Sequence, residues 1–291
     1  MSNKLWIAES YGKINLGLHV LEKLPTGYHR IETGFAFIEW SDRFEVCRAD
    51  AFDLTITNSD LSTDGSNLIT QAYDAFETYL GLRNHYHFTV SKQIPAGAGL
   101  GGGSSNAALT FRMLNKMEDA GLTDEDIVDL SRNLGADIPF FVQGKTGIGS
   151  GIGQEIEEAD IQPDAWILTI YPGFESSTAE AYKYCVPNAE PDYSLKGVLL
   201  EEPLEQWQYL LQNDLEPAVI PRHGMIGNIK DQLIDFGADY AAMSGSGSTV
   251  FGIFEQDFVA INAYESFHEL GFLAKLTRPG FKPDYGIYEK E

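Results

Sequence analysis

The chain has 291 residues, 43% hydrophobic and 22% charged, which suits a soluble globular protein with a large core and two lobes. Its 43 acidic against 20 basic residues leave a net charge of -23, which argues against nucleic acid or anionic membrane as a partner, since phosphate backbones need clustered cations. No apolar run reaches the length of a membrane span, and Met1-Ser-Asn-Lys-Leu-Trp-Ile7 has neither a signal-peptide core nor transit character, so a cytoplasmic location is expected.

Leu5 to Val20 reads as one or two strands around Tyr11-Gly12, with Lys13 and Asn15 on one face and Ile14, Leu16 and Leu18 on the other. Two polar residues so placed fit either a solvated edge or a site. Leu24-Pro-Thr-Gly-Tyr-His-Arg30 is a turn, followed by an extended run to Trp40 and strands at Arg43 to Arg48 and Phe52 to Thr57. Cys47 and Cys185 each stand alone without metal-ligand spacing and read as reduced thiols. Asn67 to Leu80 is helical, with apolar residues at 68, 69, 72, 73, 76, 79 and 80, and Gly81 closes it.

Tyr86 to Lys92 alternates as a strand. The stretch from Pro95 to Ala108 follows, with five glycines in seven residues, and then a helix expected to be capped by Ser104 or Ser105. Glycines this dense serve tight turns or close backbone approach, and a helix N-terminus directs N–H groups and the positive dipole end at an anion. A triphosphate cradle is therefore expected. Gly97, Gly99 and Gly102 formally match a dinucleotide fingerprint, but Glu118 and Asp119, at the distance where its acidic residue belongs, lie in no strand. No Gly-Lys-Ser/Thr follows to make a Walker loop.

Thr123 to Leu134 is a capped helix ended by Gly135. Asp137, followed by Ile-Pro-Phe-Phe-Val, is either a turn or capping residue or a carboxylate made more basic by apolar surroundings. A second glycine run, Gly147 to Gly153, precedes the acidic stretch Glu155 to Pro163, where a boundary is expected between lobes 1–157 and 158–291. The second half alternates helices near 178–184, 202–212, 225–236 and 256–268 with strands near 165–171, 248–254 and 271–277. A third glycine motif, Ser244-Gly-Ser-Gly247, is either a substrate contact or a tight turn. Early strands followed by mixed elements indicate a two-layer α+β protein.

Lys13-Ile-Asn15, Gly27-Tyr-His29, Pro95 through Ser105 and Leu134-Gly-Ala-Asp-Ile-Pro139, in this order and followed by Ser244-Gly-Ser-Gly247, resemble the galactokinase, homoserine, mevalonate and phosphomevalonate (GHMP) kinase superfamily over essentially the whole chain. Within it they resemble the branch of isoprenoid-precursor biosynthesis that phosphorylates a cytidyl diphosphate sugar-alcohol. The resemblance implies a two-lobed GHMP fold, with a ribosomal-S5-like N-terminal lobe for ATP and catalysis and a ferredoxin-like C-terminal lobe on the substrate side. It implies ATP with Mg2+, a small-molecule acceptor, and a monomer or weak homodimer. It places ATP on Pro95, Ala96, Gly97, Ala98, Gly99, Leu100, Gly101, Gly102, Gly103, Ser104 and Ser105, with Asn67, Leu68 and Lys92 on the adenine side.

Asp137 is implied as the base, Lys13 as its partner, and Asn15, Tyr28, His29 and Thr178 as the substrate lining. His29 would read the cytosine edge and Tyr182 stack on the ring, although Tyr182 equally fits a core aromatic. Thr26 stands where the family usually has Asp, and Ser10-Tyr-Gly12 replaces the usual lead into Lys13. A sister kinase for mevalonate, homoserine or a sugar, a diphosphate decarboxylase of the same fold and a non-catalytic nucleotide module stay as alternatives.

Overall fold

Long alternating runs near the N-terminus make two strands of unusual length. The computed structural model describes residues 4–290; Met1 to Asn3, part of the leader reading, lie outside them. β1 (Leu5–Lys23) and β2 (His29–Ala49) are antiparallel and continuous where the sequence suggested breaks. β3 (Asp53–Thr57) runs parallel to β4 (His85–Ser91), and α1 (Leu68–Leu80) makes the crossover that such a pair requires. Asn67 caps α1, and Gly81 ends it at φ 70°.

α2 (Gly102–Met117), α3 (Asp124–Ser131) and α4 (Ile138–Gln143) cover this sheet. Thr123 and Asp126 form a capping box at the start of α3. β5 (Gly147–Ser150) pairs with β2 and with β6 (Glu155–Glu158), which lies inside the acidic stretch.

The second sheet begins with β7 (Trp166–Tyr171). Five helices follow: α5 (Thr178–Tyr184), α6 (Leu195–Glu201), α7 (Leu204–Leu210), α8 (Glu216–Val219) and α9 (Gly224–Asp235). β8 (Tyr240–Met243), β9 (Val250–Phe254), α10 (Asp257–Glu269) and β10 (Leu273–Thr277) complete it in the order β10-β7-β9-β8. β11 (Tyr288–Lys290) returns to β1, giving the first sheet the path β11-β1-β2-β4-β3. The fold is α+β, as its composition of elements implied.

One core packs α1, α2 and α4 on the first sheet through Phe76, Phe88, Phe111 and Phe140. A second joins the two sheets, where Ile14, Leu16, Ala98 and Leu100 meet Ile167, Tyr240 and Phe251. The glycine loop is thus anchored by apolar side chains on either side of its glycines. Among the described residues no helix is long and apolar enough to cross a membrane.

Candidate active site

The ladder between β1 and β2 breaks on both sides of Lys13 and Asn15. Register shifts fall between Tyr11 and Lys13 and again between Asn15 and Leu18. Bulges re-aim side chains, and here they turn Lys13 into the interior at 4% exposure. Its backbone N–H donates to Leu100 O at 3.0 Å, so β1 grips the glycine loop at this point. Lys13 Nζ donates to Asn15 Oδ1 at 2.7 Å and Gly99 O at 3.2 Å, and lies 3.4 Å from Asp137 Oδ2. Lys13 and Asn15 are therefore no solvated edge.

The loop is held by its carbonyls. Ser176 N–H donates to Gly97 O, Thr249 N–H to Ala98 O, and Ser244 Oγ to Gly99 O. The backbone N–H groups from Gly97 to Ser104, in contrast, donate to no protein acceptor among the described residues. Amides left free in a row at a helix N-terminus, several of them buried or half-buried, offer their donors to an acceptor from outside the chain. Gly97, Gly99 and Gly101 have positive φ of 57°, 78° and 67°. At Gly99 a side chain would also run into the Ser244 carbonyl.

The helix cap differs from the sequence expectation. α2 begins at Gly102 with Gly101 as a left-handed N-cap and no side-chain cap. A serine cap would occupy the first-turn amides; the glycine leaves them open. Ser105 instead lies inside the helix, 2% exposed, its hydroxyl donating to Tyr11 O at 2.6 Å and resting 2.7 Å from Ser10 Oγ.

Asp137 is the N-cap of α4, yet its side chain makes no capping bond. The expected apolar burial is not found: the carboxylate is 30% exposed and faces the Lys13 ammonium. Both line a cleft of about 720 Å³ together with Asn15, Tyr28, His29, Gly97, Gly99, Gly101, Thr178 and Tyr182. In a chain of net charge -23, the cleft lining carries Lys13, Lys23 and Lys183 against Asp137 as its one carboxylate. This local excess of lysine favours an anionic ligand in the cleft, although the Glu175 carboxylate lies against Gly97.

His29 and Tyr182 stack on each other, with ring centroids 5.0 Å apart and planes at 23°. No third ring fits between them. Burial first, then the Lys23 charge, holds the His29 imidazole below the usual histidine range, so at pH 7 it is neutral. Burial, reinforced by the charge of Asp137 and by Cys185, raises the Tyr182 phenol. Tyr28 is 62% exposed on the rim, and Thr178 Oγ1 lies 2.8 Å from Ser246 Oγ across the mouth.

The adenine-side set divides. Asn67 and Leu68 start α1 beside the glycine helix, Leu68 lying against Gly103, with the Asn67 side chain capping Ile69 N–H at 2.9 Å. Lys92 does not face an open surface. It is 7% exposed, and its ammonium is held by Asp42 and by Asn106 Oδ1 at 3.0 Å beneath the loop. Ala98 and Leu100 are likewise core side chains, so only their backbone is available to a ligand.

Asp42, Asn106, Thr33 and Ser10 were not anticipated. Asp42 is fully buried between Trp40 and Phe44, and accepts from Gln93 and Ile94 N–H at 2.7 and 2.9 Å. An aspartate within a strand of aromatic neighbours was the one available signal for it. Ser244, seen as part of a turn motif, proves to be a clamp on Gly99 rather than a cleft-facing group, whereas Gly245 and Ser246 line the cleft.

Comparison with known proteins bears on this geometry. The family model described as GHMP kinases N terminal domain matches residues 67–145, and that described as GHMP kinases C terminal matches residues 192–272. The chain is 38% identical over 279 residues to 4-diphosphocytidyl-2-C-methyl-D-erythritol kinase of Chlorobium phaeobacteroides, covering 94% of this chain and 97% of that one. It is 40% identical over 260 residues to the protein of that name from Cytophaga hutchinsonii, covering 88% and 93%. A crystal structure of 4-(cytidine 5'-diphospho)-2C-methyl-D-erythritol kinase superposes with a TM-score of 0.79 at 28% identity, over 94% of this chain and 100% of that one. Methanococcus jannaschii mevalonate kinase, at 15% identity and a TM-score of 0.70, covering 94% and 98%, shares the fold.

Proposed function

The chain belongs to the GHMP kinases, and on that premise we propose that it transfers the γ-phosphoryl group of ATP to the 2-hydroxyl of 4-diphosphocytidyl-2-C-methyl-D-erythritol. The observation that carries this reading is the Lys13–Asp137 pair, 3.4 Å apart beside a loop whose carbonyls are tied and whose amides are free. Phosphoryl transfer asks a protein for alignment, charge neutralisation and a base, and these are the parts that meet in the cleft.

In this mechanism the amides of Gly97 to Ser104 hold the triphosphate at the N-terminus of α2, with Pro95 to Ser105 as its cradle and Asn67 and Leu68 flanking the base. Lys92 supports the loop from behind. Asp137 takes the acceptor proton; the freed oxygen bonds the γ-phosphorus as the β–γ bridge breaks, and ADP leaves. Lys13 keeps Asp137 aimed and neutralises charge on the moving group. Mg2+ bound with ATP would supply further charge neutralisation on the phosphates. Among the described residues no three His, Cys, Asp or Glu side chains gather to cage a metal.

Asn15, Thr178, Tyr28, His29 and Tyr182 form the acceptor side, and Lys23 and Lys183 suit its diphosphate. A neutral His29 offers one donor and one acceptor to a pyrimidine edge. Since His29 and Tyr182 already touch, the base stacks from the open side of the pair or parts them. The lobe division expected near 157/158 is placed just after β6, the ATP side first, with the closing strand β11 returning to that side. The reading places the enzyme in the cytoplasm, in isoprenoid-precursor synthesis, as a monomer or weak homodimer.

The test is ADP release over a panel of acceptors: the cytidyl compound, mevalonate, homoserine and galactose. The highest kcat/KM is expected for the cytidyl compound. Preference for any other acceptor, or release of CO₂, would replace this assignment.

A further inference from the structure

We propose that Thr33 is a positioning residue for phosphoryl transfer: it decides which end of the Asn15 carboxamide faces Lys13. This rests on the kinase reading above, with Lys13 and Asp137 as the working pair. A carboxamide is nearly symmetric in shape, but one end accepts hydrogen bonds and the other donates them. Its neighbours must choose its orientation.

Thr33 is fully buried and does not line the cleft, so its side chain has no direct route to a substrate. Its hydroxyl has one proton, and that proton goes to Gly17 O at 2.6 Å. The oxygen then has only lone pairs to offer, and accepts from Asn15 Nδ2 at 2.8 Å. Oδ1 is thereby turned to Lys13 Nζ at 2.7 Å. A reversed amide would set its NH₂ against an ammonium and its oxygen against a hydroxyl oxygen without a free proton. Both contacts would be lost between side chains that are themselves buried.

The backbone supports this relay. Asn15 is opposite Phe35 but Leu18 is opposite Thr33, so β1 carries one extra residue here, and Gly17 lies within it. The Lys13 ammonium makes three polar contacts: it donates to Asn15 Oδ1 and Gly99 O, and pairs with Asp137 Oδ2. The shortest of the three contacts is the one Thr33 orients. With that proton committed, the ammonium also donates to the glycine loop at Gly99 O and keeps its charge 3.4 Å from the Asp137 carboxylate.

The experiment compares Thr33→Val, Thr33→Ala and Thr33→Ser with Asp137→Asn in steady-state ADP release, each melted to check folding. Val keeps the shape and removes the hydroxyl; Ser keeps the hydroxyl. We expect kcat of Thr33→Val to fall roughly ten- to a hundredfold with KM for ATP unchanged, as a small misplacement of a catalytic group does. Thr33→Ser should stay near wild type. Wild-type kcat in Thr33→Val beside an inactive Asp137→Asn overturns the relay, as does a folded Thr33→Ser that falls as far as Thr33→Val. If Thr33→Val does not fold, the Ala and Ser variants decide the same question: Ala low with Ser high supports the relay, and equal rates overturn it. An active Asp137→Asn would instead refute the catalytic pair, and the relay with it.

Discussion

The Ser244 hydroxyl donates to the Gly99 carbonyl at 2.9 Å, joining residues 145 apart in sequence. The same oxygen accepts the Asn15 N–H at 3.2 Å. One serine just past the end of β8 thus pins the glycine loop to β1. We predict that Ser244→Ala, which leaves the Asn15 amide unpaired in a buried place, destabilises the protein by about 1–3 kcal/mol in urea unfolding and raises KM for ATP. An unchanged midpoint and KM would show the clamp to be idle.

Gly99 has two reasons to be glycine, a φ of 78° and the Ser244 carbonyl where a Cβ would go. Gly99→Ala should add strain on the order of 1–3 kcal/mol and spoil the amide row. Nucleotide affinity by calorimetry should fall well beyond what the stability loss explains; normal ATP binding by a folded variant would contradict the cradle.

Asp137→Asn keeps the shape of the side chain and removes the proposed base. We expect kcat to drop on the order of 10²–10⁴-fold while ATP still binds. Lys13→Ala should also act mainly on kcat, and a change confined to KM would mean that the ammonium only holds substrate.

Lys92 and Asp42 form a buried ion pair under the loop. Removing one partner strands the other, so Lys92→Met should cost about 3–5 kcal/mol of stability. If the variant instead melts like wild type and loses only ATP affinity, Lys92 is a nucleotide contact after all.

His29 gives a pH signature. Burial and Lys23 hold its pKa below the value of a free histidine, about 6.5. The unfolded chain therefore takes up a proton first on acidification. His29's contribution is fully present above pH ~6.5 and is lost as pH falls toward its lower, folded value. The melting temperature should drop between pH 7.5 and 5, and drop less in His29→Gln. Equal drops would assign the acid sensitivity to other groups.

Much of the fold was legible because its signals are local. Apolar period and a capping asparagine marked α1, and Thr123 with Asp126 marked the start of α3. β8 escaped notice because Tyr240-Ala-Ala-Met243 is short and buried throughout, without alternation. β11 escaped because three exposed residues have no pattern until β1 offers an edge. At the site, the glycine run led to the expectation of an anion cradle, but gave no sign that Gly101 would cap α2 in place of a serine.

What the amino-acid order settled alone was conformational: where glycine must bend the chain, where a helix must begin near it, and which stretches extend, since steric limits and backbone hydrogen bonding act over a few residues. Tertiary structure decided which polar groups reach the cleft and which lie beneath it. Lys13 and Lys92 are both buried lysines, and only packing sends one to Asp137 at the cleft and the other to Asp42 beneath it. A buried ammonium takes whatever acceptors the fold brings within about 3 Å, and for Lys13 two of these, Gly99 and Asp137, come from 86 and 124 residues further along the chain.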